Sequence, residues 1–202
     1  MLRQWFKFRH VSTVSKDHSL LQRNAPYVLP KFNELKNVND FTPLLTTLLK
    51  EYETGLATII LSVKDEKGST WALQKALEEN AAPLENGWQV LGHLMSVQNS
   101  SALRTIHASL QPAVVQAFTK QAQSKTLYTA FKNIKDGSTF TSLQPAQQRI
   151  IEATLLSAEL KGVACTEQER FNTLLLQSAE LVRSRFFNLL KTTKKRFYNY
   201  YF

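Results

Sequence analysis

Apolar residues recur every three or four positions through most of the chain, which is the spacing of one face of an α-helix. The first helical segment is expected to begin after Asp40 or Thr42, with Pro43 in its first turn, where proline is tolerated. Its apolar positions are Leu44, Leu45, Leu48, Leu49, Tyr52 and Leu56. The apolar run Ala57–Leu61 is then the end of this helix rather than a strand.

A second helical segment begins at Trp71. Pro83 and the pair Asn86-Gly87 are expected to interrupt it, because proline removes a backbone donor and glycine is a poor helix former. The segment that follows, from Trp88, is therefore predicted to be a third helix. A further break and cap are predicted at Asn99-Ser100-Ser101.

Two helices are predicted between that break and residue 140. The first carries Pro112, which is expected to kink it or to end it. The second is shorter, runs through Phe131 and closes at Asp136-Gly137. Trp71, Trp88, Tyr128 and Phe131 all fall on apolar stripes, so they are interpreted as core residues.

The last third of the chain has the clearest helix boundaries. A helix follows Ser142, and Gly162 stands where a left-handed glycine is expected after its last turn. Thr166 and Glu169 have the spacing of a capping box for the next helix. The apolar stripe of that helix consists of Phe171, Leu174, Leu175, Leu181, Val182 and Phe186. The predicted fold class is all-α, a bundle of about six helices with an extended N-terminal leader.

The net charge of +9 lies almost entirely at the two ends of the chain. Residues 1–16 carry four cations and no acid, and residues 183–202 carry six cations and no acid. The stretch between them has 15 basic and 16 acidic residues. Because a nearly neutral body lacks the basic face that phosphate contacts need, no nucleic-acid partner is expected for it. No segment has the ~20 apolar residues of a transmembrane helix.

The N-terminal residues 1–19 have the composition of a mitochondrial transit peptide: cations, hydroxyls, apolar residues and an acid only at Asp17. The mature chain would begin between Val11 and Leu20. An ordinary disordered basic N-terminus is the alternative. The predicted location is the mitochondrial matrix, with the cytoplasm as the alternative.

The sequence offers few residues for catalysis. None of the four histidines belongs to an H-E-x-x-H motif; they are His10, His18, His93 and His107. The sequence also has no glycine-rich loop of the kind that binds nucleotides. Cys165 has no neighbouring histidine that could act as its base, so it is interpreted as a structural thiol. No catalytic, cofactor-binding or metal-binding residue is therefore assigned, and no cofactor is expected in this chain.

From about Pro26 to Leu190 the order of residues resembles the N-terminal helical region of M3-family zinc oligopeptidases, closest to the oligopeptidase A branch. The resemblance rests on several short stretches in the same order and at similar spacing. They are Pro83-Leu84, Trp88–Asn99, Ser100–Arg104, Leu127–Phe131, Gln147–Ile151, Glu159–Val163, Arg170–Asn172 and Ala179–Leu181.

The resemblance implies a helical wall of a channel that admits short peptides and faces a larger catalytic domain. In the family, the zinc ligands and the general base come from an H-E-x-x-H helix farther along the chain, with a later glutamate. This sequence contains no such motif, so none of those residues can be carried over. The leading hypothesis is an N-terminal part or short isoform of such an enzyme, inactive alone, whose partners are short peptides and the catalytic domain.

Three regions follow from these observations: a transit peptide at 1–19, the oligopeptidase-like helical domain at 20–190, and a basic-aromatic tail at 191–202 outside the family pattern. Truncation, an alternative transcript or intron read-through would account for the tail, and a lipid-binding or nucleic-acid-binding role is the alternative.

A stand-alone helical adaptor or peptide-binding protein in mitochondria is the alternative function. In a longer protein of this family, a catalytic domain would cover the stripe from Phe171 to Phe186. In the present chain alone, that stripe is then expected to be incompletely buried. The backbone amides of the helices after Ser142 would then be the least protected from hydrogen exchange.

Overall fold

The structure, a computed structural model, describes residues 38–65, 71–98 and 100–201. In these ranges the chain forms six α-helices, two short 3-10 turns and no strand, which confirms the all-α fold class. The α-helices are α1 (Phe41–Asp65), α2 (Trp71–Gln98), α3 (Ser101–Ala122), α4 (Lys125–Asp136), α5 (Pro145–Leu160) and α6 (Gln168–Tyr201). The 3-10 turns are Val38–Asp40 and Phe140–Ser142. The predicted transit peptide, the leader up to residue 37 and residues 66–70 between α1 and α2 lie outside the described residues.

Helix α1 is the central element of the bundle. It packs against α2, α3 and α4, and its apolar stripe is buried. The buried side chains of the stripe are Phe41, Leu44, Leu45, Leu48, Tyr52 and Leu56. Each fully buried Leu or Phe stabilises the fold by about 1.5–3 kcal/mol relative to an exposed position, so this stripe accounts for much of the core.

A glycine allows α1 and α2 to approach closely. A Cβ built on Gly55 would collide with the Asn80 side chain, whose Nδ2 donates to the Tyr52 carbonyl at 3.0 Å. Any larger residue at position 55 would therefore displace Asn80 and break this link between the two helices.

Several predicted boundaries are confirmed. The Ser100 hydroxyl caps α3 by accepting from the Leu103 N–H at 3.2 Å. Gly137 follows the last residue of α4, and Gly162 adopts a φ of +80° after α5. Glycine is favoured at that φ because a Cβ would be strained there.

The predicted interruption of α2 is wrong. The helix continues through Pro83 and Gly87, so the predicted second and third helices are one element of 28 residues. Leu77, Leu84 and Leu91 occur every seven residues on a single buried face, and this packing outweighs the local cost of the proline and glycine. Pro112 likewise lies inside α3 and does not end it.

The predicted capping box at Thr166 is displaced by one residue. Helix α6 begins at Gln168, and the Phe171 N–H donates to the Glu167 carbonyl at 3.0 Å, which puts Glu167 at the N-cap position. Arg170 pairs with the Glu167 carboxylate at 3.2 Å instead. The spacing rule therefore placed the start of this helix one residue too early.

Candidate functional site

A groove of about 890 Å³ runs between α2 and α5. The end of α3 and the first half of α4 contribute the remaining lining. Its apolar and aromatic lining includes Leu77, Trp88, Phe118, Leu127, Tyr128, Phe131, Ile150 and Leu155. A groove of this size, lined by both apolar and polar side chains, has room for a small molecule or a peptide segment.

Small side chains line this groove on both sides. Helix α2 contributes Ala81 and Ala82, and α5 contributes Ala153, Ser157 and Ala158. Because α-helices packed through larger side chains would fill this volume, the alanines and the serine account for the opening. The sequence analysis did not identify the groove, although the small residues at positions 153 and 157, one turn apart on α5, were a visible signal.

The charged groups that line the groove have opposite signs on its two sides. Helix α2 contributes the carboxylates of Glu78 and Glu85, whereas the α5 side contributes Lys161. The Tyr128 hydroxyl donates to the Glu159 carboxylate at 2.7 Å, and this hydrogen bond raises the pKa of Tyr128. These groups can recognise polar or charged parts of a ligand, and they do not form the paired nucleophile and base that covalent catalysis requires.

The buried side chain of Tyr52 contacts two residues that line the groove, Gln121 and Phe118. The Tyr52 hydroxyl donates to Gln121 Oε1 at 2.6 Å, and its ring contacts Phe118 with centroids 5.1 Å apart. Both partners line the groove. Burial raises the pKa of Tyr52 above its ordinary value of 10, and the carboxylates of Glu85 and Glu53 raise it further. Tyr52 is thus held as a neutral donor that positions Gln121.

The residues considered for chemistry in the sequence do not come together. His93 is exposed on α2, whereas His107 is half-buried on α3 and stacks on Trp88 with ring centroids 4.3 Å apart. Cys165 is a half-buried free thiol in the α5–α6 loop. His10 and His18 lie outside the described residues. Among the residues that the structure describes, His93, His107 and Cys165 therefore do not form a catalytic set.

No group of three or more His, Cys, Asp or Glu residues within 38–65, 71–98 and 100–201 could hold a metal ion. Across the same residues, no helix combines the length and the apolar character needed to cross a membrane.

Exposed apolar side chains form a row on α5 and another on α6. On α5, Leu156 and Leu160 are one turn apart and exposed. On α6, Leu174 and Leu181 are two turns apart and exposed, followed by Val182. We refer to these five residues as the exposed apolar rows. Within the predicted α6 stripe, Phe171 and Leu175 are half-buried, and the side chain of Phe186 lies outside those described.

Comparison with known proteins gives a consistent set of relatives. The sequence profile described as "Neurolysin/Thimet oligopeptidase, N-terminal domain" matches residues 45–170. The chain is 31% identical over 169 residues to "Organellar oligopeptidase A, chloroplastic/mitochondrial" of Arabidopsis thaliana, covering 82% of this chain and 21% of that protein. It is 30% identical over 169 residues to "Probable cytosolic oligopeptidase A" of the same plant, covering 82% and 23%. Oligopeptidase A of Escherichia coli is 26% identical over 172 residues, with 84% and 25% covered. The chain thus spans between a fifth and a quarter of the length of these relatives.

Proposed function

The chain belongs to the family of neurolysin/thimet oligopeptidase N-terminal domains, and from this membership we propose that it forms the peptide-channel wall of an M3-type oligopeptidase resembling oligopeptidase A. In this arrangement residues 20–190 are the helical domain. Its reaction would be the hydrolysis of short peptides, carried out by a catalytic domain that this sequence does not contain.

The observation that carries the proposal is the pair of exposed apolar rows. Val182 follows the half-buried Leu175 by two turns on the same helix face, yet it is 67% exposed. Leu160 on α5 is 71% exposed. Apolar side chains exposed in rows favour a protein partner, and the relatives carry three quarters or more of their length beyond the matched region. We assign this surface to the interface with the catalytic domain.

The groove between α2 and α5 supports a peptide-facing role. An extended peptide presents apolar side chains, backbone amides and two charged ends, and the groove offers aromatic rings, amides and charges of both signs. Glu78 and Glu85 suit a cationic group of the peptide, and Lys161 suits a carboxylate. The groove would hold the peptide and would not break its bonds.

Zinc belongs to the catalytic domain that the resemblance implies, and the described residues of this chain provide no ligand set for it. We assign no step of the reaction to this chain and expect it to be inactive alone. The test is incubation of the purified 202-residue chain with short fluorogenic peptides, with and without added Zn²⁺. Hydrolysis that a chelator abolishes would overturn the proposal of inactivity.

Peptide binding at the groove is tested by filling it. Ala153 and Ala102 are both exposed alanines in helices, and only Ala153 lines the groove. Trp88 lines the groove as well, so its fluorescence reports occupancy. We expect short peptides to change the emission of the wild-type chain and of Ala102→Leu, and to lose at least tenfold in affinity for Ala153→Leu. Equal affinity for the two variants would exclude the groove.

Mitochondrial import is the proposed route of localisation. It is supported by the composition of residues 1–19 and by the organellar relative, although a cytosolic relative is equally similar. A fluorescent protein fused after Leu20 should enter mitochondria, and replacing Arg3, Lys7 and Arg9 by glutamine should retain it in the cytosol. Cytosolic fluorescence of the unaltered fusion would contradict the proposal and favour the cytoplasmic alternative.

The groove also favours a second function, that of a stand-alone peptide-binding adaptor. The two functions differ in the role of the exposed apolar rows, since only the channel-wall function needs them covered by a catalytic domain. A chain carrying Leu160→Ser and Leu181→Ser that still binds peptides and a specific mitochondrial protein would favour the adaptor.

A further inference from the structure

Helix α6 continues well beyond the hydrogen bond that joins it to α3. Gln111 Nε2 donates to the Ala179 carbonyl at 3.2 Å, and the helix then continues to Tyr201, about 33 Å farther at 1.5 Å per residue. Glu180, Leu181, Val182, Ser184 and Arg185 are all exposed. At 100° per residue these five exposed positions span more than half of the helix circumference.

The segment from residue 183 to residue 201, which we call the distal segment, separates two kinds of residue by helical register. Eight aromatic or aliphatic positions fall within one half of the circumference: Phe186, Phe187, Leu189, Leu190, Phe197, Tyr198, Tyr200 and Tyr201. The other half holds Ser184, Arg185, Asn188, Lys191, Thr192, Lys195, Arg196 and Asn199. Arg183, Thr193 and Lys194 fall within the apolar half, where the long stems of Arg and Lys allow their charges to reach water.

The positive charge of the distal segment indicates that its partner is negatively charged. It contains six cations and no acid, whereas residues 17–182 are nearly neutral. An anionic surface is therefore favoured. A nucleic acid would neutralise the cations and leave most of the phenylalanine and leucine positions without an apolar environment. A bilayer interface accommodates both halves at once, because phosphates lie at the surface and acyl chains lie directly beneath.

We propose that the distal segment is a membrane-surface helix that binds bilayers containing anionic phospholipids. Its apolar half enters the boundary between headgroups and acyl chains, and its cationic half contacts the lipid phosphates. The helix lies in the interface plane and does not span the bilayer. This proposal does not depend on the oligopeptidase function, and it holds for either of the two functions above.

The first experiment measures co-sedimentation of the full 202-residue chain with vesicles. We expect binding to phosphatidylcholine vesicles that contain phosphatidylglycerol, and little binding to phosphatidylcholine alone. Lys191→Gln, Lys195→Gln and Arg196→Gln together should weaken binding on the order of a hundredfold. The matched control replaces Lys50, Lys75 and Lys132, three exposed cations of the body, by glutamine and should bind as the wild type does.

The second experiment reports insertion directly. In a Tyr198→Trp chain, the additional tryptophan emission should shift to shorter wavelength when anionic vesicles are added, and circular dichroism should verify that each variant is as helical as the wild type. Vesicle binding that is unchanged in the triple distal variant, or lost equally in the body control, would overturn the proposal. Tighter binding to single-stranded RNA than to anionic vesicles would overturn it in favour of a nucleic-acid partner.

Discussion

The first four helices and helix α6 differ in how far their apolar side chains are buried. Helices α1 to α4 bury their stripes against one another, down to full burial at Leu91 and Leu103. Among the described residues of α6, none is buried. Its described links to the rest of the domain include amide hydrogen bonds: the Gln123 and Asn172 side chains exchange two, at 2.6 and 3.3 Å, and Gln111 bonds to Ala179.

This difference separates a part of the molecule that is complete from a part that needs a partner under the proposed channel-wall function. A buried apolar stripe stabilises the isolated chain, whereas amide hydrogen bonds contribute only about 0.5–1.5 kcal/mol each because water competes for the same groups. Helix α5 is intermediate, since it buries Ile151 and Leu155 and exposes Leu156 and Leu160. Stability should therefore fall from the first four helices toward α6.

The largest expected effect comes from cutting a side chain out of the complete part. Leu91 is fully buried, and Leu91→Ala should lower the free energy of unfolding by about 2–5 kcal/mol, because it removes apolar contact and leaves a cavity. Leu160→Ala is the matched control on α5 and should cost less than about 0.5 kcal/mol. Urea unfolding followed by circular dichroism measures both, and similar losses for the two variants would remove the distinction between the regions.

The connection between the two regions depends on one glycine. At Gly162, the φ of +80° strains any residue with a Cβ, and that Cβ would lie 3.2 Å from the Phe171 ring. We expect Gly162→Ala to cost about 1–2 kcal/mol. Gly92→Ala is the control: it lies within α2 and its Cβ would meet nothing within 4 Å, so it should stabilise the chain by about 0.5–1 kcal/mol. A neutral Gly162→Ala would mean that the α5–α6 loop is not fixed.

The Tyr52 network adds a pH-dependent contribution to the complete part. Tyr52→Phe removes the hydrogen bond to Gln121 and should cost about 1 kcal/mol at pH 7. Because the pKa of Tyr52 is raised in the folded state, the neutral phenol stabilises the fold below pH 10, and this contribution is lost as the pH rises further. Above pH 10 the wild type should lose up to about 1.4 kcal/mol per pH unit relative to Tyr52→Phe.

The control for this experiment is Tyr128→Phe, which removes an exposed hydroxyl bonded to Glu159. Because the hydrogen bond to Glu159 also raises the pKa of Tyr128, the wild type should lose stability relative to Tyr128→Phe above pH 10 as well, but by less than relative to Tyr52→Phe, since this hydroxyl is exposed. If the difference between the wild type and Tyr52→Phe stays constant up to pH 11, the phenol is not held neutral by burial.

The sequence predicted the apolar stripes and several helix boundaries better than the packing between distant helices, for physical reasons. Periodicity reports which residues face a common core, so the stripe of α1 and the boundaries at Ser100, Gly137 and Gly162 were predicted correctly. A sequence pattern accounts only for the local cost of a proline in a helix, so it predicted that the helix ends at Pro83. In the structure α2 continues through Pro83, because the long-range packing of its leucines outweighs that cost. The groove escaped prediction because it depends on small residues from separate helices, and their proximity is a property of the tertiary fold.

The smallest expected effect lies on α6 and distinguishes the two regions most directly. Leu181 and Val182 are about two-thirds exposed, so Leu181→Ser with Val182→Ser removes almost no buried surface from the isolated chain. The double variant should change the free energy of unfolding by less than about 0.5 kcal/mol, which is the scale of its altered helix propensity. It should also reduce concentration-dependent self-association, measured by sedimentation velocity, because exposed apolar rows promote contacts between molecules. Unfolding as severe as that of Leu91→Ala would show instead that this face of α6 is covered within the chain, and the exposed apolar rows could not then serve as an interface for a catalytic domain.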